Sequence, residues 1–200
     1  RALSVLPELL VVDDGSRDRT AQVARDAGAE VHRHDQVCGK GAALRTAFGV
    51  LFARGCDFVV TLDADGQHVP EEIPKLLASL AGADLVLGTR SHLFGEMSRP
   101  RRFANQLSAW AISKAAGSEV SDAQTGFRAY ARELIEATGF PERHFDAESA
   151  VLVRAVRLGF RIATVPVDLG FADGRATSHY RPLVDSFRIA RAVARARWER

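Results

Sequence analysis

Short apolar runs alternate with stretches of helical spacing along the first ninety residues. Residues 9–12 form an apolar run of strand length, closed by Asp13, Asp14, Gly15 and Ser16. The 18–20 region can cap a helix that reaches about residue 27, where Gly28 ends it. Residues 30–34 alternate like a short strand. Gly39-Lys40-Gly41 opens a helix over 42–53 whose Leu44, Phe48 and Leu51 share a face. Residues 58–62 are apolar on both faces, which suits a strand buried in a parallel sheet. Pro70 starts the next helix, with Glu71 and Glu72 in its first turn. Residues 85–87 are another buried strand, followed by Gly88-Thr89-Arg90. This alternation predicts an α/β domain with a mostly parallel sheet flanked by helices. Farther on, helices are predicted over 103–116, 132–138, 147–158 and from Pro182 onward. Residues 121–130 are a polar turn entering a strand, and 160–167 are a strand.

Composition narrows the class. With 200 residues, 46% hydrophobic and 26% charged, the chain is predicted to be a single globular domain over 1–200. A net charge of +2 gives no reason to expect nucleic acid. Two cysteines, Cys38 and Cys56, make neither a disulfide framework nor a C-x-x-C metal spacing, so a reducing, cytoplasmic setting is expected. No stretch has the length and apolarity of a membrane span. Residues 1–6 read like the end of a helix, which suggests that a first strand–helix unit is missing.

The chemistry gathers at strand ends. Asp63 and Asp65 stand two apart after the central apolar run, with Ala64 between them and Gly66 permitting a turn. Open α/β sheets bind ligands at this edge. Two close carboxylates repel unless a cation neutralises them, and a hard divalent ion with positions open for phosphate oxygens would do so. Asp13-Asp14 ends another strand and can accept hydrogen bonds from a base or ribose. Arg90 ends a third and can pair with a phosphate. Gly39-Lys40-Gly41 lacks the Ser or Thr of a Walker loop; it reads as a helix start, with Lys40 at most near a bound nucleotide. Cys38 reads as a small loop cysteine.

Five segments in order, V-V-D-D-G-S-R-D-R-T, G-K-G-A-A-L, D-A-D-G-Q-H, G-T-R and D-A-Q-T-G-F-R-A-Y, resemble family 2 glycosyltransferases. The likeness is to their dolichyl- and polyprenyl-phosphate mannosyl- and glucosyltransferase branch. It implies the GT-A fold, a Rossmann-like sheet, and inverting transfer from a nucleoside-diphosphate sugar to an acceptor such as a polyprenyl phosphate. It implies Val12 and Asp14 at the base, and Asp63, Ala64 and Asp65 at the diphosphate. It further implies Asp65 and Gln67 as ligands of Mg2+ or Mn2+, Arg90 facing the donor, and Gln124, Thr125, Gly126 and Arg128 on the acceptor side. In the late loop Ser178 matches the family pattern, and His179 stands where Lys is common. The family's first strand is absent, and so is the Gln-x-x-Arg-Trp of processive synthases.

If the acceptor is a hydroxyl, Asp146 and Glu148 are the candidate bases; a helix cap and a first-turn residue are their plainer roles. Two other readings stand beside this one: a sugar-phosphate nucleotidyltransferase and a non-catalytic nucleotide-sugar binding module. The last helix, with Leu183, Phe187, Ala190, Ala194 and Trp198 on one face and Arg188, Arg191 and Arg195 on another, is expected either to pack on the domain or to lie on the inner face of the membrane.

Overall fold

The computed structural model describes residues 8–89, 125–168, 170 and 182–198, the last stretch with side chains only over 188–196. The elements are β1 (Leu10–Asp13), α1 (Thr20–Asp26), β2 (Glu30–Arg33), α2 (Lys40–Ala53) and β3 (Phe58–Thr61). A single 3-10 turn (Pro70–Glu72) leads into α3 (Ile73–Ser79), followed by β4 (Leu85–Thr89). Then come β5 (Arg128–Ala131), α4 (Arg132–Thr138), α5 (Ala147–Arg157), β6 (Ile162–Pro166) and α6 (Pro182–Trp198). The helix expected over 103–116 lies outside the described residues.

The strands lie in the predicted stretches, but their pairing is mixed. β1 pairs in parallel with β2. A second ladder runs β3-β5-β4-β6. Within it β4 and β6 are parallel, while β5 is antiparallel to both β3 and β4. Sequence alternation sees β3 and β4 pointing the same way. It does not see a later strand entering between them in the opposite sense.

That insertion places the site. An antiparallel neighbour starts where its partner ends, so Thr61 at the end of β3 faces Arg128 at the start of β5. The Thr61 hydroxyl then donates to the Gly126 carbonyl at 2.9 Å. The turn before β5 is thereby laid against the carboxylates after β3.

Both faces of the larger ladder are covered, and side chains alternate between them as the pleat requires. Leu85, Leu87 and Tyr130 join Phe48, Phe52, Leu134, Val151 and Ile189 on the face that carries α2, α4, α5 and α6. Val86, Phe127 and Ala129 join Ile73, Leu76 and Val167 on the face that carries α3. Every residue of β4 is buried, as its uninterrupted apolar run demands. In α6 the buried residues are Ile189, Ala192, Val193 and Ala196, while Ala190 and Ala194 are exposed. The packed stripe is therefore offset from the one expected. The side chains of Phe187 and Trp198, on which that expectation turned, lie outside the described residues.

Candidate active site

The site lies where β3 ends, β5 begins, and the N-termini of α2 and α5 converge. Lys40, the first residue of α2, places its ammonium 2.8 Å from Asp63 Oδ1 and 2.9 Å from Glu148 Oε2. Its nitrogen is also 5.8 Å from the centre of the Phe145 ring. Burial works to deprotonate this ammonium, but Glu148 and then Asp63 outweigh it, and the lysine is held protonated well above its ordinary range. Lys40 is thus a fixed cation between a strand-end carboxylate and a carboxylate in the first turn of α5.

Gly126 packs closely against this junction. A methyl group there would lie 2.5 Å from Asp63 Oδ2 and 2.8 Å from Lys40 Nζ. The Asp63 backbone N–H donates to His68 Nδ1 at 2.9 Å, which puts the ring proton of a neutral His68 on Nε2. His68 is buried and stacks on Phe127, centroids 5.2 Å apart. Asp65 Oδ1 accepts the Gln67 N–H at 3.0 Å, folding the loop back on itself. The Gly170 N–H caps this loop on the Gln67 carbonyl at 3.0 Å.

Asp14 lies at the second acidic strand end. Its Oδ1 accepts from His34 Nδ1 at 2.8 Å and from the Cys38 N–H at 2.8 Å; its Oδ2 accepts from the Gly39 N–H at 2.7 Å. His34 Nε2 is 3.0 Å from the Thr46 hydroxyl. Burial pushes the Asp14 carboxyl up, but the imidazole and the two amides prevail and hold it below its ordinary range. Asp14 therefore fixes the residues just before Lys40. Its neighbour Asp13 is buried, accepts the Ser16 N–H at 2.9 Å and faces Arg33 at 3.3 Å.

The predicted residues divide by position. Lys40, Asp63, Gly126 and Glu148 are brought together; Asp65 follows Asp63 by two residues, and Ala64 between them is exposed. Asp14 is linked to this group through Gly39, and Val12 lies two residues before it in β1. Arg128 is fully buried: its Nε donates to the Thr125 carbonyl at 2.7 Å and its Nη1 to the Glu148 carbonyl at 2.8 Å. It braces the site from behind. Thr125 is also buried, its hydroxyl accepting the Phe127 N–H at 3.2 Å. Asp146, at the start of α5, makes no side-chain cap and accepts the His144 N–H at 3.2 Å. Arg90, Gln124, Ser178 and His179 lie outside the described residues. Sequence reasoning missed the pairing of His34 with Asp14, made across 20 residues, and the role of His68, five residues past Asp63 in a loop with no regular period.

The donor set fits a hard divalent ion. Asp63 and Asp65 offer carboxylate oxygens, and one Asp65 oxygen has no partner among the described residues.

Comparison with known proteins decides the family. Residues 5–139 match the family model "Glycosyl transferase family 2". The chain belongs to glycosyl transferase family 2. An undecaprenyl-phosphate mannosyltransferase of Micrococcus luteus is 33% identical over 84% of this chain and 74% of its own length. A polyprenol monophosphomannose synthase of Mycolicibacterium smegmatis is 33% identical over 80% of this chain and 65% of its own. Among solved structures, a Mycobacterium tuberculosis glucosyl-3-phosphoglycerate synthase superposes with a TM-score of 0.69 at 27% identity, over 96% of this chain and 66% of that one. That structure holds Mn2+, uridine diphosphate and phosphoglyceric acid. The fold of this family 2 glycosyltransferase is accordingly GT-A, with a mixed α/β sheet flanked by helices.

Proposed function

We propose that this glycosyltransferase transfers a sugar, with inversion, from a nucleoside-diphosphate sugar to the phosphate of a polyprenyl phosphate, with Mg2+ or Mn2+ held by Asp63 and Asp65. The observation that carries the reading is the lysine shared between Asp63 and Glu148. Glu148 is buried and neutralised by Lys40 at 2.9 Å, so it is poorly placed to take a proton from an acceptor. A lipid phosphate oxygen is already anionic and needs no strong base. A hydroxyl acceptor would need one, and Asp146 would then be the group to supply it. The lipid-phosphate names of the two relatives support the first reading.

On this reading Val12 and Asp14 flank the nucleotide base, and Ala64 leaves room for the diphosphate. Lys40 supplies a preorganised positive charge beside the leaving group, where the displacement develops negative charge. Asp63 and Asp65, with Gln67 as a further ligand, would hold an ion that would supply charge stabilisation at the same place. Arg90 faces the donor. Thr125 and Gly126 border the acceptor, with Arg128 behind them. No helix among the described residues is long and apolar enough to cross a membrane.

Product analysis tests the proposal. Incubation with a labelled nucleotide sugar, Mn2+ and undecaprenyl phosphate should release nucleoside diphosphate and label the lipid. Release of pyrophosphate would instead identify a nucleotidyltransferase. Binding of the donor with no turnover on any acceptor would identify a binding module.

A further inference from the structure

We propose that Asp14, His34 and Cys38 form a second metal site, which takes Zn2+ or a similar borderline cation through one oxygen, one nitrogen and one sulfur. The three side chains come from the end of β1, the residue after β2, and the loop before α2. Their ligand atoms already lie within 4.8 Å of one another. A tetrahedral zinc bound at 2.0–2.3 Å sets its ligands roughly 3.3–3.8 Å apart. The Asp14–His34 contact is 2.8 Å, and Cys38 Sγ makes a loose contact of 3.3 Å with the Gln36 carbonyl. Zinc geometry would require the cysteine sulfur to move by at most about 1 Å.

The surroundings are those of a supported site. A ligating histidine donates its other ring nitrogen to an acceptor, and a ligating carboxylate is itself hydrogen-bonded. The Thr46 hydroxyl stands 3.0 Å from His34 Nε2, and the Cys38 and Gly39 amides grip Asp14 at 2.8 and 2.7 Å. The Asp14 carboxylate only accepts, so a neutral His34 carries its proton on Nδ1. On binding, that proton moves to Nε2 and is donated to Thr46, and the Cys38 thiol proton passes to solvent. All three residues are half-buried, which leaves a path for the ion and a fourth position for water. The donor set is softer than the all-oxygen pair Asp63 and Asp65, so the two sites select different ions. Bound zinc would also draw Asp14 away from the nucleotide, a consequence that rests on the function proposed above.

The test is Co2+ titration of the Asp65→Asn protein, in which the oxygen site is impaired, followed by displacement with Zn2+. Thiolate-to-cobalt charge-transfer absorption reports a bound sulfur directly and needs neither donor nor acceptor. The expected result is one cobalt per chain with this band, bleached by Zn2+. Cys38→Ser should abolish the band, and His34→Gln should weaken binding about 10-fold or more. Cys38→Ser removes no contact of the fold beyond the Gln36 carbonyl, so it stays informative if His34→Gln unfolds. Absence of the band, or its persistence in Cys38→Ser, would overturn the proposal.

Discussion

Lys40 joins the strand-end carboxylate Asp63 to Glu148 in the first turn of α5. Its side chain is 21% exposed and that of Glu148 6%, so Lys40→Met would leave this buried carboxylate with only the more distant Arg128, at 4.0 Å, as a cationic partner among the described residues. The expected cost is about 3 kcal/mol, measured by urea unfolding; a loss under half of that would mean the pair is well hydrated. Gly126→Ala tests the same junction from the other side. Its methyl would displace Asp63 or Lys40, and overpacking of this kind costs about 1–3 kcal/mol. Donor turnover should fall further than stability does, and an active Gly126→Ala protein would contradict the crowding. Asp14 gives a pH signature. Its carboxyl is held below the ordinary 3.8, so its contribution to stability is present above that value and is lost as pH falls through the folded-state value. Asp14→Asn should flatten this acid limb, read from melting temperature against pH. The Asp63–Asp65 pair was legible in the sequence as two carboxylates closing a buried strand, although a polar turn gives the same pattern and Asp65 does accept the Gln67 N–H. The lysine between Asp63 and Glu148 was not, because its partners are 23 and 108 positions away. Arg128 was read beside the acceptor; a polar turn entering a strand gives no sign that the arginine points into the core.

At the scale of elements, strand and helix positions were legible from period and punctuation. The antiparallel entry of β5 was not. Residues 121–130 show a turn and a strand but carry no mark of their neighbours, and pairing is set by packing across the sheet. Helix α6 shows the same limit. Two apolar stripes coexist on it, and only tertiary contact selects Ile189, Ala192, Val193 and Ala196 to meet α5. The Ala196 carbonyl also accepts from Arg157, which fastens the helix end. Ala190, Arg191, Ala194 and Arg195 are left on the exposed side. A basic, partly apolar face of this kind attracts anionic lipid, each nearby arginine adding about 1 kcal/mol. Co-sedimentation with phosphatidylglycerol vesicles should therefore occur at low salt and weaken at high salt. Arg191→Glu with Arg195→Glu should abolish it while leaving the melting temperature within a few degrees. Equal sedimentation of both proteins would remove α6 from the membrane contact.

At the scale of the molecule, the sheet gathers strand ends, one antiparallel turn and two helix N-termini around a single lysine. One fold thus presents a pair of strand-end carboxylates beside a fixed positive charge, and on the function proposed above these are the groups that would stabilise a departing nucleoside diphosphate. The direct test is formation of sugar-linked undecaprenyl phosphate from a nucleotide sugar, with wild type and Asp65→Asn, in Mn2+ and in chelator. The wild type should form product only with the metal, and Asp65→Asn should lose on the order of 10²-fold in rate while remaining folded. Product formed at full rate by Asp65→Asn, or by wild type in chelator, would contradict the account.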